Sequence, residues 1–380
     1  MKHQYAISSL FFILSFYICA QSVDKHVDMG EYTMHFKIIK GEGTPILFEA
    51  GGGDDSTVWD PILQKIHDAT GATLISYDRS GFGKSELNPK LKNEADFGIE
   101  NGIKELEAGL SKLGYTDKIM LVSHSYGGLY NLLYARKHPK KVTAVVLIDV
   151  TLSDFWNEEL LTMRDMNIDI SAIPKPSGDY YMNANFNKIM RDVRGLKFPE
   201  SMPILNIFPE NSFPGFPEIL SNRWRELHQE LGAQNQNITN SIAKGSSHGV
   251  FQDNPALVIN AINKMYAETL DKNQQNIVLK KALAIAMELA IETKSTNRSE
   301  NDLIALGYSF LGNAELDKAL EVFKVNIALF PESSNAYDSY GEALLIADQK
   351  PEAIEMYTKS IELDPNNENA KAVLLKMKEE

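Results

Sequence analysis

One cysteine, Cys19, stands among 380 residues. No second thiol exists for a structural disulfide, a Cys-x-x-Cys redox pair or a thiolate zinc site. Positive charge is also scarce. Lys and Arg number 38 against 51 Asp and Glu, a net charge of −13. No block of basic residues stands out, so nucleic acid is not an expected partner. The chain has no HExxH and no Asp/Glu-rich metal loop, so neither a metal nor another cofactor is implied.

Long apolar runs are missing as well, except at the start. Lys2 precedes an apolar run from Ala6 to Ile18, broken only by Ser8, Ser9 and Ser15. Cys19-Ala20-Gln21 ends it with a small residue at a cleavage point. The pattern reads as a secretory signal peptide over residues 1–20 and is short for a transmembrane helix. Cleavage after Ala20 removes the only cysteine. The expected mature protein is exported, periplasmic or secreted, with no stable membrane span.

What remains suits two domains. The chain's 43% hydrophobic and 23% charged residues argue against long disorder. Residues 31–40 alternate in polarity, as an edge or hairpin strand does. Short apolar runs follow at Pro45–Glu49, Ala72–Tyr77, Lys118–Val122 and Ala144–Ile148, with later ones at Met202–Phe208 and Asn237–Ala243. Helical patterns at Trp59–Ala69, Ile99–Leu113, Gly128–Lys137 and Pro255–Leu270 separate or close them. Strands alternating with helices predict an α/β fold, a mostly parallel sheet with helices on both faces.

The apolar run Ile119-Met120-Leu121-Val122 leads into Ser123-His124-Ser125-Tyr126-Gly127-Gly128 and then a helix. A serine at the apex of a strand–turn–helix has its hydroxyl raised above the sheet. Small residues must flank it because the backbone passes close to itself there. Ser123 and Gly127 meet that need. Ser125 is therefore the candidate nucleophile, and it requires a base. His248, in Gly245–Pro255, lies between the last strand and the last helix of this unit. An imidazole titrates near ~6.5, so it can take and return a proton at working pH. Of the other histidines, His3 lies in the signal segment. His26, His35, His67, His138 and His228 read as surface residues, and the His124 side chain is expected to point away from Ser125.

The glycine-rich loop Gly51-Gly52-Gly53, the turn Asp78-Arg79-Ser80-Gly81-Phe82-Gly83-Lys84-Ser85, the elbow and the late histidine resemble, in that order, the α/β-hydrolase superfamily. Within it, the chain is similar to the aminopeptidase/esterase-like branch. The departures are Ser123 in place of the usual first glycine of the elbow, and Glu-Ala-Gly-Gly-Gly where His-Gly-x is common. The resemblance covers a hydrolase domain over residues 28–270. It implies a cap inserted at about 153–199, where Phe155, Trp156, Met163, Met166, Tyr180, Tyr181 and Met182 would line an apolar pocket. It implies an oxyanion hole from the amides of Tyr126 and Gly52, with Gly51 as the alternative. The turn at Asp78–Ser85 would brace the oxyanion loop. It is not a phosphate loop, because Asp78 stands where that motif requires glycine. For the triad acid two candidates stay open: Asp149, ending the run Val145–Ile148, and Glu210, after Met202–Phe208. If neither serves, activity is weakened.

The C-terminal part is a separate object. Segments 300–333 and 334–367 repeat at an offset of 34 residues, pairing Gly307 with Gly341, Ala319 with Ala353, Phe323 with Tyr357 and Pro331 with Pro365. That period resembles tetratricopeptide repeats, each a pair of antiparallel helices. They sit in a helical segment spanning 277–380, after a linker at 271–276.

The expected function is an exported serine hydrolase. It would cleave an ester, thioester, lactone or small amide or peptide through an acyl-Ser125 intermediate, with a possible protein partner on the repeats. The alternative is a weak or inactive hydrolase fold acting as a repeat-based scaffold. A peptide substrate's free amine would want carboxylates in the cap, for which Glu158, Glu159, Asp165, Asp169 and Asp179 are candidates.

Overall fold

The computed structural model describes residues 22–210, 217–293 and 299–379. Residues 1–20, expected to be a signal peptide, therefore lie outside the described residues. Eight strands form one sheet: β1 (Val23–Asp28), β2 (Thr33–Ile39), β3 (Glu42–Glu49), β4 (Ala72–Tyr77), β5 (Ile119–His124), β6 (Val142–Ile148), β7 (Ile204–Pro209) and β8 (Ile238–Ala243). Their order across the sheet is β1-β2-β4-β3-β5-β6-β7-β8. β1 and β2 run antiparallel to their neighbours, and the rest is parallel.

Successive residues of a strand point to opposite faces, so each central strand feeds two cores. Leu47, Leu121, Val145 and Leu147 pack on one face against α2 (Ile99–Lys112) and α3 (Gly127–Lys137). Phe48, Met120, Val122 and Val146 pack on the other against α1 (Asp60–Thr70). The α1 stripe Ile62, Leu63, Ile66 and Ala69 is buried, and the helix starts with Pro61 in its first turn and stops at Gly71, φ 67°. That is the asymmetry expected of helix ends.

Between β6 and β7 the inserted stretch carries α4 (Glu158–Asn167) and α5 (Gly178–Asp192); α6 (Glu218–Ala233) packs on β7 and β8. The short α7 (Val250–Asp253) leads into α8 (Pro255–Glu268), on the α1 side of the sheet.

The structure differs from the sequence reading in two places. Val23–Asp28 is a strand that the polarity pattern concealed, because only Val27 of it is buried. The polar stretch 271–276 is no linker: α9 runs Lys272–Thr293, with Asp271 accepting from the Asn273 and Gln274 amides at its start. Val278 and Leu289 of α9 share a core with α1 and α8.

The remaining helices are α10 (Glu300–Gly312), α11 (Leu316–Leu329), α12 (Ser334–Ile346), α13 (Lys350–Leu363) and α14 (Glu368–Glu379). α10 packs on α11, and α12 on α13, each pair across a three-residue connection. The 34-residue offset has a steric counterpart. A Cβ at Gly307 would stand 2.4 Å from the Phe323 ring, and one at Gly341 3.1 Å from the Tyr357 ring. Ala314 and Asp348, also one offset apart, both take φ 58° at the turn. No helix among the described residues is long and apolar enough to cross a membrane.

Candidate active site

Ser125 sits between the end of β5 and the start of α3 with φ 51°, a conformation costing a non-glycine residue about 1–3 kcal/mol. Backbone bonds hold it there. Its amide donates to Ile148 O (3.1 Å), and its carbonyl accepts from Gly128 (3.0 Å) and Thr151 (2.9 Å). The neighbours have no room to grow. A Cβ at Gly127 would lie 2.5 Å from the Ala50 carbonyl, and one at Gly128 2.4 Å from Val150.

His248 lies in the loop between β8 and α7. Its Nε2 is 2.9 Å from Ser125 Oγ, and its Nδ1 is 2.6 Å from Asp149 Oδ2. The loop is fixed by Asp253, which accepts from the Ser247 amide (2.7 Å) and hydroxyl (2.6 Å). His124 Nε2 stands 3.0 Å from the His248 carbonyl, its donor–acceptor partner. Because that partner is an acceptor, His124 carries its proton on Nε2. Burial pushes the His124 pKa down to about 4, helped by the neighbouring His248, so the ring is neutral at pH 7.

Asp149 directly follows β6, fully buried, with φ 40° and its amide bonded to Ile207 O at 2.7 Å. Trp224 Nε1–H donates to its Oδ1 at 2.7 Å. Of the two candidate acids, Asp149 is the one that meets His248. Glu210 is spent elsewhere: its Oε2 accepts from the Gly245 amide at 3.1 Å.

Gly52 packs against the side chains of Tyr126 and Met182, since a Cβ on Gly52 would lie 3.4 Å from Tyr126 Cβ and 3.3 Å from Met182 Sδ. Neither the Gly52 nor the Tyr126 amide donates to an acceptor among the described residues. Gly51 turns its carbonyl towards Arg79, which donates to it and, at 3.4 Å, to the Ala50 carbonyl. Arg79 is buried among the rings of Phe82, Tyr126 and Tyr130. Its counter-charge is Glu49, which also accepts from Tyr77 Oη. Burial pushes the Glu49 pKa up to about 7, against the pull of Arg79 and Tyr77. Asp78 accepts from the amides of Ser56 (2.7 Å) and Lys84 (2.8 Å) and bonds His35 Nδ1 (2.9 Å). The Asp78–Ser85 turn is thus tied to both sides of the glycine loop.

The inserted helices stand over this region. Phe186 of α5 stacks on Tyr126 at 6.2 Å and meets Trp156 edge-on at 4.9 Å. Tyr126, Met182, Phe97 and Tyr181 line a cavity of about 40 Å³ beside the glycine loop, floored by Arg79 and Tyr130. Of the five carboxylates considered for an amine, Asp179 approaches the loop, 3.6 Å from a Cβ built on Gly53. Glu158 pairs outward with Arg191 and Arg194, Asp165 with Asn187, and Asp169 caps its own turn at Ser171.

Two histidines read as surface residues are buried. His35 bridges Asp78 and Asp24. His228 has its Nε2 3.5 Å from Asp149 Oδ1 and its Nδ1 3.1 Å from Asn206 Oδ1. His124, His228 and Trp224 are the neighbours of the site that sequence reasoning missed. Their partners lie too far along the chain for any local pattern to announce them.

Residues 44–188 match the family model described as the alpha/beta hydrolase fold. The chain has that fold, and curated relatives similar to it in sequence are hydrolases. It is 29% identical over 237 residues to YqjL of Bacillus subtilis (strain 168), a protein itself described as uncharacterized, covering 61% of this chain and 86% of that one. It is 29% identical over 145 residues to a proline iminopeptidase of Lactobacillus delbrueckii subsp. lactis, covering 37% of this chain and 48% of the relative. The chain thus spans about half the length of that peptidase. An epoxide hydrolase from Vigna radiata superposes with a TM-score of 0.50 at 15% identity, covering 65% of this chain and 98% of that one.

Proposed function

We propose that the protein is a serine hydrolase that transfers an acyl group from an ester, thioester, lactone or small amide to water. The carrying observation is the unbroken line Ser125 Oγ, His248 Nε2, His248 Nδ1, Asp149 Oδ2, with links of 2.9 and 2.6 Å. In this reading His248 takes the Ser125 proton as Oγ attacks the carbonyl carbon. Asp149 keeps the other imidazole proton on Nδ1 and stabilises the imidazolium. The amides of Gly52 and Tyr126 receive the oxyanion, and one such donor is worth about 3 kcal/mol in the transition state. His248 then protonates the leaving oxygen, sulfur or nitrogen. A water, deprotonated by the same imidazole, releases the acid and frees Ser125.

The inserted helices serve as a cap in this reading. The C-terminal pairs serve as tetratricopeptide repeats, which the 34-residue period supports and which offer a face for a protein partner. Export rests on residues 1–20. The test is covalent labelling by a fluorophosphonate probe. Wild type is expected to label, and Ser125→Ala and His248→Ala to lose the label. A folded wild type that does not label overturns the reading and shifts attention to what the C-terminal helices bind.

A further inference from the structure

Both oxygens of the Asp149 carboxylate are committed, each to a different element. Oδ2 meets the His248 loop at 2.6 Å, and Oδ1 accepts from the Trp224 indole on α6 at 2.7 Å. No part of this carboxylate is exposed, so water cannot take over either contact. A buried carboxylate bonded through one oxygen is free to turn about its Cβ–Cγ bond, and that turn would swing Oδ2 out of line with the imidazole. The indole bond to the second oxygen blocks it. The donor itself is held firmly. Trp224 is 2% exposed, with Phe155 edge-on at 4.9 Å and His228 at 5.4 Å. His228 is in turn bonded to Asn206, whose amide nitrogen donates to Asn240 Oδ1 (2.9 Å) and to the His228 carbonyl (3.1 Å). The acid is thereby locked to α6, which also brings His228 Nε2 to 3.5 Å from Oδ1.

We infer that Trp224 is a positioning residue for the reaction, holding Asp149 through its indole N–H so that Oδ2 stays aimed at His248 Nδ1. The inference rests on the triad reading of Ser125, His248 and Asp149. Trp224 touches no reacting atom, so its loss acts on the activation of Ser125 and not on substrate binding. It also carries a sign: with Oδ2 turned out of line the carboxylate stabilises the imidazolium less, so the acidic limb of the kcat/KM profile moves to lower pH. The other titratable groups around the pair are His228 on α6, His124 on β5 and Asp54 after β3, and all three stay in place in the variant tested.

The experiment compares wild type and Trp224→Phe with p-nitrophenyl acetate across pH, beside fluorophosphonate labelling. In the variant, kcat is expected to fall roughly tenfold with KM changed by less than about twofold, and the acidic limb to move to lower pH. A folded variant with unchanged kcat and pH profile overturns the positioning role. If wild type itself does not label, it is the triad reading that fails. Should Trp224→Phe not fold, the wild type carries the test through its indole ¹H–¹⁵N signals, three for three tryptophans. Trp59→Phe and Trp156→Phe assign them by elimination. The Trp224 signal is expected to move when Ser125 is phosphonylated, because the change at the imidazole reaches the indole through Asp149. A signal indifferent to phosphonylation overturns the inference.

Discussion

Glu49 and Arg79 form an ion pair inside the protein, Arg79 Nη1 to Glu49 Oε1 3.5 Å, with the Glu49 side chain 1% and the Arg79 side chain 6% exposed. The pair stands at the root of the glycine loop, where Arg79 also takes the carbonyls of Ala50 and Gly51. Removing one member of a buried pair leaves the other charge uncompensated, typically at a loss of about 3–5 kcal/mol. Arg79→Met is therefore expected to lower the melting temperature sharply. Arg79→Lys keeps the charge but not the planar fork that reaches two carbonyls. It is expected to retain much of the stability while lowering kcat, because the Gly52 amide loses its brace. Equal kcat in wild type and Arg79→Lys would rule this out.

The same pair predicts a pH dependence of stability. Glu49 has its folded pKa raised from 4.5 to about 7, chiefly by burial, so the folded state binds the extra proton between those values. Stability from this group is full below pH 4.5 and is lost as pH rises towards 7, by on the order of 3 kcal/mol. His35, raised mainly by its bond to Asp78, adds in the same sense: its contribution is lost as pH climbs through its folded pKa. Asp78 acts oppositely. Burial disfavours its charge, but bonds from His35, Ser56 and Lys84 outweigh this and hold it at about 2, so its contribution is lost as pH falls from 3.8 towards 2. Urea unfolding across pH is expected to show stability rising from pH 7 to 5 in wild type. Glu49→Gln should flatten much of that rise. Parallel curves for the two proteins would exclude Glu49 as its source.

Asp149 and Glu210 separate cleanly in mutation. Asp149→Asn is expected to lower kcat by about 10⁴-fold, through loss of the correct imidazole tautomer. Glu210→Gln keeps an acceptor for the Gly245 amide and should change kcat by less than about threefold, within the effect of one peripheral hydrogen bond. Burst kinetics with a chromogenic ester read both. The reverse ranking would reassign the acid.

Two glycines give a graded test of the elbow. A Cβ at Gly127 would drive into the backbone carbonyls of Ala50 and Glu49, at 2.5 and 2.7 Å. Gly127→Ala is expected to lose about 1–3 kcal/mol through forced displacement and most of its activity, since the displaced segment is the glycine loop. At Gly114, φ 86° is demanding but nothing lies within 4 Å of a Cβ. Gly114→Ala should lose about 1 kcal/mol and no activity. Thermal melts with kcat on the same samples decide it.

Cutting the chain tests the role of α9. A chain ending at residue 271 exposes the core that Val278 and Leu289 share with α1 and α8. One ending at residue 293 keeps it. Calorimetry is expected to show the shorter chain melting well below the longer one. Equal melting would mean that α9 belongs only with the helices that follow it.

Much of this was legible because burial leaves a local mark. Ala72–Tyr77 is a strand residue for residue, since all six side chains are buried and apolar or small. Asp149 could not be chosen over Glu210 on sequence because both follow strands, and only register tells which carboxyl is level with the elbow. His124 pairs with Ile148 across β5 and β6, which sets Asp149 beside Ser125. β1 was hidden for the opposite reason: it is held by backbone pairing with β2 and buries only Val27. His228 was misread because a histidine's burial depends on partners placed anywhere along the chain, here Asn206 and, 79 positions away, Asp149.

α9 joins two structures by belonging to both. One side is in the core of the sheet domain with Val278 and Leu289, while Met287 packs with Leu303, Val322 and Val325 of α10 and α11. A flexible tether lets its cargo search a volume and sets an effective concentration by its length. A helix built into both cores does neither. It acts as a bracket, so whatever docks on the C-terminal helices is held at one distance and one bearing from Ser125.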